Sequence, residues 1–118
     1  MGQVRIKRVY DEPASSDGYR ILVDRLWPRG LSKEAVSADE WLKEVGPSTE
    51  LRRWFGHDPE RFEEFAARYR AELAGSEALA LLQERCREHE VVTLLFGAKD
   101  AEDNQAVVLL GLVRSPTR

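Results

Sequence analysis

Residues 91–96 read VVTLLF, with apolar side chains on consecutive as well as alternating positions. Successive residues of a strand point to opposite faces, so a strand of this kind has to be covered on both. A chain of 118 residues meets that demand by placing helices against a mainly parallel sheet, with this strand at its centre. The expected class is therefore α/β, a small three-layer domain of about three strands and about five helices. At this length the chain buries about two thirds of the surface its unfolded form exposes, enough for one core and one domain spanning 1–118.

Two further strands precede it. Residues 4–9 (VRIKRV) alternate apolar Val4 and Ile6 with Arg5 and Lys7, as in a half-buried or edge strand. Residues 19–24 (YRILVD) set Ile21 and Val23 on one face and Leu22 on the other, which marks an interior strand. Between them, DEPASSDG is neither helix nor strand and is too short for a crossover helix. The pair is thus either a long-looped hairpin or a parallel pair with an irregular crossover.

Five helices follow from caps and periodicity. Ser37 and Glu40 have capping-box spacing and predict a helix over 38–45, stopped by Gly46 and Pro47. Ser48 caps 49–55, and Asp58 with Pro59 opens 59–73, whose stripe is Phe62, Phe65, Ala66, Tyr69 and Leu73. Ser76 caps 77–88. A last helix, 101–113, is apolar nearly all round, and 115–118 form a frayed tail.

Charge and composition narrow the function. The net charge of −3 disfavours a general nucleic-acid binder, which works by neutralising phosphates. No apolar run approaches the length of a membrane span, and the first residues alternate charged and apolar groups, unlike a signal peptide. The lone Cys86 sits in a helical apolar stripe, as a core thiol does, and its solitude suits a reducing, cytoplasmic location. Neither His57 nor His89 has a metal-ligand partner at helical or hairpin spacing, and Gly30 and Gly97 stand outside any phosphate-loop fingerprint. Neither a metal nor a cofactor is expected.

The polar clusters lie where the strands end. Ligands of open α/β sheets bind beyond the carboxyl ends of the strands. There the second strand delivers Asp24, Arg25, Trp27 and Arg29, and the last delivers Lys99, Asp100 and Asn104 at a helix start. Arg25, Arg29 and Lys99 are expected to hold a small anionic partner bearing phosphate or carboxylate, nucleotide-like ligands included, with Trp27 as a stacking wall. Asp24 is the candidate acid, base or clamp, Asp100 and Asn104 position the ligand, and His57 approaches the pocket from a turn. The bland counterparts are a structural ion pair at Asp24, plain packing at Trp27 and a solvated turn at His57. Whether the site is catalytic stays open. A ligand-sensing module and a protein-interaction module using Arg52 and Arg53 are the alternatives.

Three segments, YRILVDRLWPRGLSKE, PSTELRRWFGHDPERFEEFAARYRAEL and VTLLFGAKDAEDNQAVVLL, resemble the YeaO-like branch of the domain of unknown function 488. VDRLWPRG followed by WFGHDP is the specific combination. The resemblance implies a compact α/β protein of bacterial type with no assigned reaction. It also implies that larger relatives place a cysteine-bearing loop, as in rhodanese-like proteins, after the last strand. Here residues 97–104 hold no Cys, and Asp103 stands where the family pattern has His, so neither sulfur transfer nor an imidazole there is carried over.

Overall fold

The computed structural model describes residues 2–100 and 102–114. Its sheet has four parallel strands: β1 (Gln3–Arg8), β2 (Tyr19–Leu22), β3 (Glu40–Trp41) and β4 (Val91–Phe96), in the order β1-β4-β2-β3. The last strand in sequence is thus inserted between the first two. β4 is central, with five of its residues buried, and β1 is an edge, as their patterns dictate. The open choice between hairpin and crossover resolves as a crossover. Residues 9–18 carry the chain past β4 through a single 3-10 turn, Ser15–Asp17.

Five α-helices complete the element list: α1 (Lys33–Val36), α2 (Thr49–Phe55), α3 (Phe62–Leu73), α4 (Glu77–Glu88) and α5 (Gln105–Arg114). The caps read from sequence at Ser48, Asp58 and Ser76 all accept hydrogen bonds from first-turn amides. Pro59 starts a 3-10 turn, Pro59–Arg61, that leads into α3. α5 begins at Gln105, later than expected; position 101 and the tail 115–118 lie outside the described residues.

The strands sort their side chains by parity. Ile21, Val23, Val92, Leu94 and Phe96 face a core built with α2 to α5, in which Phe65, Tyr69, Leu82 and Leu109 are fully enclosed. The opposite face is thinner, with Leu22 and Leu95 meeting Val9 and Val36. The three layers are therefore unequal. The thin face also encloses charge: Arg20 donates to Asp17 and to the carbonyls of Val36 and Ser37, while Lys7 donates to both Asp17 oxygens. The Thr93 hydroxyl donates to the Asp17 carbonyl, so the crossover loop is fastened beneath β4. Burial alone would raise the Asp17 pKa, but the Ala14 amide, Lys7 and Arg20 together hold it below the usual 3.8.

The expected helix over 38–45 does not form. Ser37 instead closes α1 from behind, with a left-handed backbone and its amide bonded to the Lys33 carbonyl. Beyond it, Asp39 N donates to Arg20 O at 2.8 Å and Leu42 N to Leu22 O at 3.0 Å, which draws Glu40–Trp41 into the sheet as its fourth strand. Pairing with the open side of β2 satisfies the amides of Asp39 and Leu42, and the Ser37 amide, which a capping box would have used, is taken by the Lys33 carbonyl. Only a 3-10 turn, Lys43–Val45, remains of that helix. His89, at the end of α4, stacks flat on Tyr19 with ring centres 3.9 Å apart.

Candidate functional site

Past the carboxyl ends of β2 and β4 the chain opens into a cavity of about 750 Å³. All eight sequence-nominated residues line it: Asp24, Arg25, Trp27, Arg29, His57, Lys99, Asp100 and Asn104. Their surroundings differ, and the differences separate groups free to meet a ligand from groups already engaged.

Asp24 follows β2 and is gripped from the other half of the site. Its Oδ2 accepts from Gly97 N at 2.8 Å, and its Oδ1 accepts from the side-chain amide of Gln105 at the start of α5. A Cβ on residue 97 would stand 2.9 Å from that Oδ2, so glycine lets the backbone approach the carboxylate. Burial pushes the Asp24 pKa up from 3.8 to about 6, against the pull of Gly97, Gln105 and the nearby charge of Arg52.

Arg25 is committed to the frame: Nε donates to Pro47 O and Nη2 to Gly46 O, at 2.9 and 2.8 Å. Gly46 has no room for a Cβ, which would lie 2.7 Å from Arg25 N. The Trp27 indole donates to Leu31 O and meets Trp41 edge-on, with ring centres 5.2 Å apart. With buried Pro28 it forms a fixed wall. Asp100 and Asn104 are turn-formers. Asp100 Oδ1 accepts from the amides of Glu102 and Asp103, which hold its pKa below the usual carboxylate range. Asn104 Oδ1 accepts from Val107 N, and its Nδ2 donates to Asp100 O, so this buried amide caps α5. His57 is exposed on the rim in a left-handed conformation, φ 58°.

Arg29 and Lys99 are exposed, and among the described residues neither forms an ion pair. Sequence reasoning took Arg52 for a surface group and passed over Gln105 and Tyr10. All three line the cavity. Arg52 is half-buried on α2, and its Nε is shielded from water with no acceptor. The adjacent Leu51 and the nearby Phe55 are core residues, and that is the one sequence signal that could have turned Arg52 inward. Tyr10 and Leu26 stand exposed at the mouth, the tyrosine donating to Arg29 O.

Residues 3–117 match the family described as the inactive DUF488-N3 subclade. The chain belongs to this family. It is 46% identical to the uncharacterized protein YeaO of Escherichia coli, covering 95% of this chain and 97% of that one. An uncharacterized protein of Mycobacterium tuberculosis is 44% identical, covering 94% of this chain and 93% of its own. No solved structure matches significantly. Membership in DUF488-N3 bears out the family resemblance read from VDRLWPRG and WFGHDP, and neither named relative carries a reaction in its name. Among the described residues no helix is long and apolar enough to cross a membrane, and no three His, Cys, Asp or Glu side chains gather as a metal cluster would require.

Proposed function

We propose that the cavity binds a small anionic molecule, phosphate- or carboxylate-bearing, and does so without transforming it. The observation that carries this reading is Arg52. Its half-buried guanidinium lines the cavity and, among the described residues, forms no ion pair, so an anion held there supplies the missing counter-charge. Arg29 and Lys99 at the mouth add positive charge that steers an anion inward. The description of the subclade as inactive supports binding without turnover. The one cysteine, kept as a buried thiol, fits a cytoplasmic setting.

Thermal unfolding with sulfate or phosphate tests the reading. At saturating anion the melting temperature should rise by about 4 °C or more, and Arg52→Gln should lose most of the rise. No rise in the native chain would refute it. One observation favours a second, catalytic reading: the Asp24 carboxyl, at about 6, is poised for proton transfer near neutrality. Under that reading Asp24→Asn abolishes turnover of a bound ligand while keeping its affinity. Under the binding reading there is no turnover to lose.

A further inference from the structure

Asp24 and Arg52 carry opposite charges, line the same cavity and lie close enough for Arg52 to favour ionisation of Asp24. Yet among the described residues no ion pair joins them. A carboxylate offers about four acceptor positions. Gly97 and Gln105 fill one on each oxygen of Asp24 and leave the others open. The cavity thus holds an acceptor with spare capacity and, apart from it, a guanidinium with no ion-pair partner among the described residues. A plain anion answers only the arginine and sets a second negative charge near Asp24.

We propose that the ligand is bipolar, with an anionic group that meets Arg52 and, next to it, an O–H or N–H that donates to Asp24. The class is small hydroxy or amino acids and phosphate esters carrying a neighbouring hydroxyl. The apolar wall of Trp27, Pro28, Phe55 and Phe65 suits a ring or hydrocarbon body on the same molecule. The inference rests on the anion reading of this cavity and adds the donor to it.

The sign of the pH dependence separates the two kinds of ligand. A donor favours ionised Asp24 and binds better above pH 6, whereas a bare anion is repelled by that charge and binds better below it. Asp24 is faced by Arg52 from α2, the Tyr69 hydroxyl from α3, the neutral amide of Gln105 from α5 and the Gly97 amide after β4. Tyr69 stays protonated across this range, because burial raises its pKa well above 10 and its hydroxyl donates to Val45 O. Asp100, with His57 beside it, stands further out on the lining.

The probes are 3-phenyllactate and 3-phenylpropionate, which differ by one hydroxyl, with sulfate as the bare anion, titrated calorimetrically at pH 5 and pH 8. Phenyllactate should bind about tenfold more tightly than phenylpropionate at pH 8. The gap should narrow at pH 5, and Asp24→Asn should remove its pH dependence. Equal affinities, a preference for phenylpropionate at pH 8, or a gap unchanged in Asp24→Asn overturns the donor. Sulfate binding alone also overturns it and leaves the anion reading standing. Failure of all three probes removes both.

Discussion

The Asp24 side chain is dearly held. Two amides bind it and a guanidinium lies near, yet burial outweighs them and keeps its pKa near 6. A carboxyl whose pKa is higher folded than unfolded adds stability when protonated, and that stability is lost as pH rises from 3.8 through 6. The rise corresponds to about 3 kcal/mol of penalty at neutral pH. Asp24→Asn, with the Gln105 amide turned over to accept from it, should therefore stabilise the protein by about 1–3 kcal/mol at pH 7 and hardly at all at pH 4. Urea unfolding at the two pH values checks this; an equal effect at both would show that the charge of Asp24 is not what burial penalises. The residues that could be read as a site are those placed directly after an apolar strand, where alternation gives way to charge. Arg52 and Gln105 escaped because each sits inside or at the start of a helix, where spacing gives a face but not what that face meets. Asp100 and Asn104 were found for their polarity, and most of it is spent on turn and cap geometry.

Elements declared themselves in proportion to how much of their stability is local. α3 and α4 have apolar stripes of their own, α4 is capped by Ser76 and α3 is entered through the turn that Asp58 caps, and the strongly apolar β4 has only one plausible environment. β3 has two residues and no pattern, and exists because β2 needs a partner along its open edge. Non-local pairing there overrides a good capping signal at Ser37. The crossover before β2 is a second case, for its shape is set by what lies above it. Gly18 has φ 68°, and a Cβ there would stand 2.3 Å from Val91 O and 2.8 Å from Val91 C. Both are parts of the central strand and cannot yield. Gly18→Ala should accordingly cost more than about 2 kcal/mol, read as a lowered denaturation midpoint. Gly30 has a positive φ but nothing within 4 Å, so its alanine variant, bearing conformational strain alone, is the control and should lose less.

Across the whole molecule two aspartates, Asp17 in the crossover and Asp24 past the end of β2, set opposing pH slopes. Asp17 has its pKa held below 3.8 by Ala14, Lys7 and Arg20, so its stabilising bonds are intact above 3.8 and are lost as pH falls through its lower folded value. Asp24 works the other way between 3.8 and 6. From these two groups stability should climb as pH drops from 7 to about 4 and then fall steeply in stronger acid. Chemical denaturation across that range would show the maximum, and a curve that falls steadily from pH 7 downward would contradict it. The strand order has a consequence for how the chain is made. β1 and β2 leave the ribosome early, but the strand that lies between them is completed only at residue 96 of 118. Until then the two have no common neighbour, and the backbone edges meant for β4 stand open. Assembly of this sheet therefore waits for the far end of the chain, and a nascent or truncated form ending before β4 exposes the sticky edges that the finished molecule hides at its centre.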